Sequence, residues 1–465
     1  MTEYIDNARS VVEQFSLGKK DFIDVRYYLA DTNSIAIRSG VADQTVSQSI
    51  KGVACRALID GAWGFSTTTS FDSKEIKSAM DTAVKTAKAM SSNIGEPGVV
   101  AREYIFNDIM PLDVKIDPRE IPMDEKIRVA LEFEKNISGV SDQIKISTAS
   151  LSDTVQREVI VNSLGTEIDF YNCYISARGS ATAREGSLIQ NAGESIGTTN
   201  GWETIEDANL SELGQKAGNR AVALLSAVKP PSGKQNIVMD QSLVGLFIHE
   251  AFGHAMEADG ILSNMSVLKE KIGKPVGVSE INVVDDPTMK GERGYFPYDS
   301  EGTKTQRRNM VVDGIQREFY HSLETAAKMG VKPNGAARAM DYNYRPIVRM
   351  GCTFIKKGEM SFEELCQEIG DGVYLKKSGG GYVNPSIGQF FFSTQEGQLI
   401  EKGEPTALTQ NVAMSGMTLE VLSNVIGVGK DFMLRSGSCG KGSQTAIVTM
   451  GGPSLAVKNV VVGGR

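Results

Sequence analysis

Residues 236–256 read NIVMDQSLVGLFIHEAFGHAM, and we expect the second half of the chain to be built around them. It opens with apolar β-formers, and Asp240, a residue type that commonly caps helices, follows them. Apolar residues then recur at helical spacing from about Ser242 to Met256. We therefore predict a strand followed by a helix, and this helix carries two of the three histidines in the protein.

The two histidines, His249 and His254, are related as i and i+5, and Glu250 directly follows the first. Zincins use His-Glu-x-x-His because residues i and i+4 share one helix face. At i and i+5 a regular helix turns the second imidazole away from the first. The two side chains converge only if the helix is distorted between them, and Gly253 is where a break or π-bulge costs least.

A catalytic metal needs a third protein ligand beside the two histidines, with one position left open for water. The candidates are His321, Glu257, Asp259 and Cys439. Cys439 is the best of them, because the small residues of RSGSCGKGSQ around it let a thiolate approach an ion closely. Lys441 nearby favours the thiolate form. A His/His/Cys set with one open site suits zinc, so we predict a zinc site in which Glu250 activates a water molecule.

Bulk properties limit the classes of partner and the compartment. The net charge of -8 and the sequence pI of about 5.3 make direct nucleic-acid binding unfavourable. The five cysteines are widely spaced and odd in number, which is typical of a reducing compartment. No signal sequence and no apolar stretch long enough to span a bilayer is visible. The predicted location is therefore the cytoplasm, with no membrane association.

The length of 465 residues predicts more than one domain. We divide the chain into an N-terminal α/β domain (1–111), a central α/β domain (112–229) and a β-rich C-terminal domain (230–465). The clearest boundary is the PPSG segment at 230–233, since two prolines cannot continue a helix. The predicted fold class is α+β, with N-terminal α/β regions followed by a β-rich domain that carries the metal-binding helix.

Turn residues and apolar runs predict several hairpins and strands. Asp60-Gly61 and Asp313-Gly314 each separate apolar segments, as in two-residue hairpins. A third hairpin is predicted to turn at Glu396-Gly397. The stretches TAIVTMGG and LAVKNVVVGG near the C-terminus are predicted to form two buried strands.

Segments along nearly the whole chain resemble the TldD/PmbA family of metallopeptidases. HEAFGHAMEADG is similar to the family's His-Glu-x-x-x-His motif, and GSCGKGSQ is similar to the segment whose cysteine completes the metal site. Further similar segments are GVACRALIDGAWGFSTT, NVVDDPTMKGERGYFPYDSEGTKTQ, VNPSIGQFFF and SGMTLEVLSNVIGVGKDF. One departure is Gly442-Ser443-Gln444, where the family commonly has a single residue before Gly-Gln.

The resemblance implies that His249, His254 and Cys439 bind the metal and that Glu250 is the general base. It places the chain in the catalytic, TldD-like branch. It also implies a dimer, either a homodimer or a heterodimer with a metal-free paralogue, and an enclosed active site that accepts short or unfolded peptides.

Two other functions stay open at this point. One is a non-catalytic partner-binding or regulatory protein with a structural metal, and the other is a small-molecule amidase. Iron is possible in place of zinc. The run Gly379-Gly380-Gly381 either lets a substrate backbone approach closely or forms a flexible turn.

Overall fold

The structure, a computed structural model, describes residues 3–463. The α-helices are α1 (Glu3–Val12), α2 (Ser73–Met90), α3 (Met123–Ser138), α4 (Glu203–Glu206), α5 (Leu210–Ala223), α6 (Gln241–Leu246), α7 (Ala258–Leu262), α8 (Leu323–Met329), α9 (Phe362–Ile369) and α10 (Thr418–Ser423). A π-helical turn, Phe247–Gly253, follows α6, and short 3-10 turns lie at Ser91–Asn93, Pro118–Glu120, Leu224–Ser226 and His254–Met256.

The strands of the first half are β1 (Phe22–Arg38), β2 (Val41–Ile59), β3 (Ala62–Thr68), β4 (Asn107–Met110), β5 (Ile144–Asn162), β6 (Glu167–Glu185) and β7 (Leu188–Thr198). Those of the second half are β8 (Gly233–Met239), β9 (Val283–Asp285), β10 (Arg308–Val312), β11 (Ile315–Gln316), β12 (Ala337–Arg338), β13 (Ile347–Val348), β14 (Cys352–Ile355), β15 (Gly372–Asn384), β16 (Gln389–Glu401), β17 (Glu404–Thr409), β18 (Ala413–Met417), β19 (Val425–Val428), β20 (Met433–Lys441), β21 (Gln444–Gly452) and β22 (Leu455–Gly463).

The strands of the first half form one sheet with the order β3-β2-β1-β5-β6-β4, and β7 pairs with β6. The antiparallel pairing of β1 with β5 runs from Asp24 opposite Asn162 to Arg38 opposite Thr148. Strands from both predicted N-terminal regions therefore share a single sheet. Helix α2 packs so closely on β3 that a Cβ on Gly64 would lie only 1.8 Å from the backbone oxygen of Ala83 in the helix.

The second half contains two main sheets with a helix between them. One has the order β11-β10-β9-β14-β21-β20, and the other has the order β15-β8-β22-β18-β16-β17 with an added β15–β16 pairing. A Cβ on Gly245 would lie 2.8 Å from the backbone nitrogen of Gly451 on β21. On the other side, the Phe247 ring lies 5.4 Å from the Phe390 ring on β16. The helix that carries the histidines is thus held between the two sheets.

The α+β class with a β-rich second half is confirmed by this arrangement. The predicted turns Asp60-Gly61 (φ 50° and 82°) and Asp313-Gly314 (φ 51° and 72°) are confirmed, with the positive φ values of a type I′ hairpin. The two predicted C-terminal strands correspond to β21 and β22.

The predicted hairpin at Glu396-Gly397 is wrong, because β16 continues through these residues and turns at Lys402-Gly403 (φ 53° and 80°). Glu396 forms an ion pair at 2.9 Å with Lys376 on the neighbouring strand. Gly397 is required by packing, since a Cβ there would lie 2.5 Å from the Thr409 hydroxyl. The glycine thus marks a close contact inside a sheet and not a turn.

Candidate metal centre

The helix that carries the two histidines begins at a capped turn and then widens. The Asp240 carboxylate accepts a hydrogen bond of 2.7 Å from the Leu243 amide, which confirms Asp240 as the N-cap. The chain is π-helical over Phe247–Gly253, and the His254 amide donates to the His249 carbonyl. This i to i+5 bond places the two histidines one above the other. The distortion predicted between them is confirmed.

Packing around the π-helical turn explains why it forms here. A Cβ on Gly253 would lie only 2.3 Å from the Met350 sulfur, so a larger residue here would force the buried Met350 side chain to move. The Thr418 hydroxyl is 3.0 Å from the Ala251 carbonyl oxygen, within hydrogen-bond distance. A π-turn disturbs the regular helical hydrogen-bond pattern, and a neighbouring side chain can satisfy a carbonyl that it releases.

Three side chains meet at the end of this helix. One ligand atom from each of His249, His254 and Cys439 lies within 4.8 Å of the others. The Cys439 sulfur is 3.3 Å from His254 Nε2, and the two imidazole rings are nearly perpendicular at a centroid distance of 5.4 Å. Cys439 lies on β20, opposite Ala446 of β21. Within residues 3–463, this is the one cluster of three or more His, Cys, Asp or Glu side chains compact enough for a metal ion.

The surroundings of His249 fit a bound cation. Its side chain is 0% exposed, and neither ring nitrogen has a hydrogen-bond partner among the described residues. Leaving a buried polar group without a partner costs about 1–3 kcal/mol. An ion between the three side chains would satisfy His249, and two imidazole nitrogens with one thiolate are a donor set that zinc accepts.

The electrostatics of the cluster favour the ligating form of the cysteine. Burial opposes ionisation of Cys439, but the adjacent imidazoles of His249 and His254 outweigh it and lower the pKa of the thiol to about 4. For His254 burial also opposes the charged form. Glu257 and Cys439 outweigh this, so the pKa of the imidazole is raised.

Two candidates for the third ligand have other partners. Glu257 lies on the far side of His254, with its Oε2 atom 2.9 Å from Nδ1. Lys441 is 3.2 Å from the same oxygen and 2.7 Å from each oxygen of Asp259. Because Glu257 holds Nδ1, the Nε2 atom of His254 faces Cys439. Lys441 joins the strand that carries Cys439 to the segment that follows His254.

The remaining candidate, His321, lies outside the cluster. Its Nδ1 atom is 3.3 Å from the Thr325 hydroxyl, and burial lowers the pKa of the imidazole to about 4. The contact of Glu257 with His254 was not predicted, although a carboxylate three residues after this histidine was a usable signal. Arg349 was not predicted either. It donates to the backbone oxygens of Cys439 and Gln444 and so fixes both sides of the β20–β21 turn.

Glu250 lies at the opening of the cluster, next to a cleft. Its Oε2 atom is 3.6 Å from His254 Nε2, and its side chain is 25% exposed. The cleft has a volume of about 510 Å³. Its lining includes Glu250, His254, Glu257, Asp259, Met265, Gly381, Tyr382, Val383, Pro385 and Lys441.

The glycine run that ends in Gly381 is part of this wall. It belongs to strand β15, and a Cβ on Gly381 would lie 2.1 Å from the Phe392 ring of the paired strand. The interpretation of the run as a flexible turn is therefore wrong, and close approach by a substrate stays a prediction.

Among residues 3–463, no helix has both the length and the apolar character needed to cross a membrane.

Individual relatives and solved structures resemble the chain along nearly all of its length. It is 36% identical over 433 residues to the protein named Metalloprotease MJ0996 of Methanocaldococcus jannaschii, covering 93% of this chain and 95% of that one. It is 28% identical over 455 residues to the Zinc metalloprotease TldD homolog of Saccharolobus solfataricus, covering 95% and 96% of the two chains. The crystal structure of TldE from Thermococcus kodakarensis has the same fold, with a TM-score of 0.77, 16% identity and coverage of 99% and 100%.

Three domain families match consecutive parts of the chain. The PmbA/TldA metallopeptidase domain 1 matches residues 23–90, the central domain matches 116–225 and the C-terminal domain matches 232–464. The histidine helix and Cys439 both lie within the C-terminal match. The resemblance drawn from the sequence is thus confirmed, and the chain belongs to the PmbA/TldD family of metallopeptidases.

Proposed function

We propose that this protein is a zinc-dependent peptidase that hydrolyses short or unfolded peptides. The observation that carries the proposal is His249, whose two buried ring nitrogens lack hydrogen-bond partners within residues 3–463 although a thiol and a second imidazole lie beside it. Membership of a metallopeptidase family supports the same function.

Each residue of the centre has a distinct task in this proposal. His249, His254 and Cys439 bind the ion, and Glu257 holds His254 in the orientation that presents Nε2. When bound, zinc polarises a peptide carbonyl and lowers the pKa of a water molecule. Glu250 lies where it can accept the proton of the attacking water and deliver it to the leaving amine.

The shape of the site favours this function over the two alternatives. A structural metal is usually enclosed by four protein ligands, whereas the cluster in residues 3–463 offers three. A small-molecule amidase would be expected to have a narrow, closed pocket. The cleft beside Glu250 is open to solvent and has strand β15 in its wall at Gly381, Tyr382 and Val383, which suits an extended peptide better.

The test is Glu250→Gln, which removes the base and keeps the shape of the side chain. We expect unchanged zinc content by elemental analysis and a loss of peptide cleavage of about 10²–10⁴-fold, the usual contribution of a general base. Glu359→Gln, at an exposed carboxylate far along the chain, is the matched control and should cleave at the wild-type rate. Full activity of Glu250→Gln would refute the assigned mechanism.

We also propose that the protein acts in the cytoplasm as a homodimer or as a heterodimer with a metal-free paralogue. All five cysteines are buried and unpaired, in keeping with a reducing compartment. Light scattering of the purified chain, alone and after co-expression with such a paralogue, distinguishes the two assemblies. A monomer under both conditions would contradict the dimer.

A further inference from the structure

A second cavity lies between the N-terminal sheet and the C-terminal half. Its volume is about 240 Å³, whereas one water molecule needs only about 10–15 Å³ of such space. Strands β1, β5 and β6 contribute Tyr28, Glu158, Asn172 and Tyr174 to its wall, and the C-terminal half contributes Arg338. Within residues 3–463, this cavity shares no lining residue with the metal cleft.

Arg338 is the main positive charge of this lining. Its Nη1 atom donates to the backbone oxygens of Met350 at 3.0 Å and Ile447 at 2.7 Å, and its guanidinium lies 4.5 Å from the centre of the Phe296 ring. Among the described residues, no carboxylate forms an ion pair with it. Burial lowers the pKa of Arg338, because a desolvated cation without an acidic partner is unfavourable.

The two carboxyl groups of the lining are engaged elsewhere. Glu158 forms an ion pair of 3.4 Å with Arg26 and accepts a hydrogen bond of 2.8 Å from Gln156. Asp299 accepts hydrogen bonds from three backbone amides of its own wall. Neither group therefore forms an ion pair with Arg338, although Glu158 partly opposes the lowering of its pKa from a distance.

The lining also holds a buried polar group with unused capacity. The side-chain oxygen of Asn172 has no hydrogen-bond partner within residues 3–463. Buried polar groups are normally paired, so this oxygen indicates a missing partner. The Tyr28 and Tyr174 side chains, 7% and 4% exposed, line the same cavity. The rings of Phe170 and Phe296 provide apolar surface beside them.

We propose that this cavity binds a small carboxylate with a compact apolar body. Arg338 and the Tyr174 phenol hold the carboxylate, and the two phenylalanine rings contact the apolar body. Because Ile447 lies on the strand paired with the one that carries Cys439, the ligand sits one strand away from the metal centre. The site does not depend on the peptidase activity.

The first experiment is calorimetric titration of the purified full-length protein with benzoate and with benzamide, its neutral counterpart. We expect benzoate to bind at least about tenfold more tightly, because hydrogen bonds to a charged group are stronger than those to a neutral one. Equal binding of the two compounds would show that the site does not recognise an anion. Absence of binding by both would mean that the cavity holds ordered water only, and the proposal would be wrong.

Two variants locate the bound probe. Ala339→Leu fills the cavity from a half-buried lining position, and Tyr174→Phe removes one hydroxyl and little else. Each should weaken benzoate binding at least about fivefold without lowering the melting temperature, as expected for a lost hydrogen bond or lost space. Tyr382→Phe, in the metal cleft, is the control and should bind normally. Benzoate binding that responds to Tyr382→Phe and not to the two cavity variants would place the probe in the metal cleft and overturn the proposal.

Discussion

Cys173 in the N-terminal sheet and Cys439 in the C-terminal half are both buried strand cysteines, with 2% and 1% exposure. Their acidities are opposite. Burial, with a smaller effect of Asp153, raises the pKa of the Cys173 thiol to about 12. Cys439 is equally buried, yet the adjacent imidazoles lower the pKa of its thiol to about 4. Burial alone keeps a thiol protonated, whereas adjacent imidazoles favour the thiolate, the form of cysteine that can bind a metal.

The largest contrast should appear in the acidity of the two thiols. In metal-free wild type, the ultraviolet absorbance of a thiolate should persist at neutral pH and disappear as the pH falls through about 4, where Cys439 takes up a proton. The thiolate persists at neutral pH because the folded-state pKa of Cys439 lies below the ordinary thiol value of about 8.5. Cys439→Ser should lack this transition, whereas Cys173→Ser should keep it. A transition of wild type only near the unperturbed thiol pKa of about 8.5 would contradict the lowered pKa of Cys439.

Metal binding should separate the two cysteines next. Cys439→Ala removes one of the three proposed ligands, so we expect zinc affinity to fall by more than about 100-fold, the upper end of the range for changes outside the ligand set. Competition with a chromophoric chelator measures this. Cys173→Ala should bind zinc as wild type does and lose only packing. Equal losses in the two variants would show that unfolding, and not ligation, explains the effect.

The orienting carboxylate should have a smaller effect than the ligand itself. Glu257→Gln can still accept the His254 hydrogen bond but loses the negative charge, so we expect about 10–100-fold weaker zinc binding. Asp259→Asn is the matched control, because Asp259 contacts Lys441 and not the imidazole. If the control weakens zinc binding as much as Glu257→Gln does, the direct contact with His254 is not what matters.

The smallest effect is expected where only packing changes. In Gly253→Ala the new methyl group meets the Met350 sulfur, and overpacking of this kind lowers the free energy of unfolding by about 1–3 kcal/mol. Gly260→Ala provides the control, since within residues 3–463 no atom outside its chain neighbours and its own helix backbone lies within 4 Å of the corresponding Cβ position. Urea denaturation of both variants measures the difference. A stability of Gly253→Ala equal to that of the control would show that the π-helical turn tolerates a side chain.

The sequence predicted the local features of the site well. The i and i+5 spacing of His249 and His254 demanded a distorted helix, and a π-helical turn is present. Backbone geometry alone was enough for this inference, because a helix has a fixed number of residues per turn. The capping role of Asp240 and the Asp-Gly turns followed from equally local rules.

Features that depend on distant contacts were not predicted. Gly397 looked like a turn residue, but its neighbour Thr409 and the ion pair of Glu396 hold it inside a strand. The position of Glu257 depends on both His254 and Lys441, which are far apart in the chain. Local composition contains no information on such pairings.

The long pairing of β1 with β5 has a consequence for dividing the chain. A fragment that stops near residue 111 would keep the β1–β2 pairing but leave the edge of β1 that faces β5 unpaired along most of its length. The complementary fragment would expose the matching edge of β5. Open strand edges of this kind recruit other chains, so both pieces would be expected to aggregate. Expression trials that aim at separate parts should therefore cut after residue 229 and leave the first sheet whole.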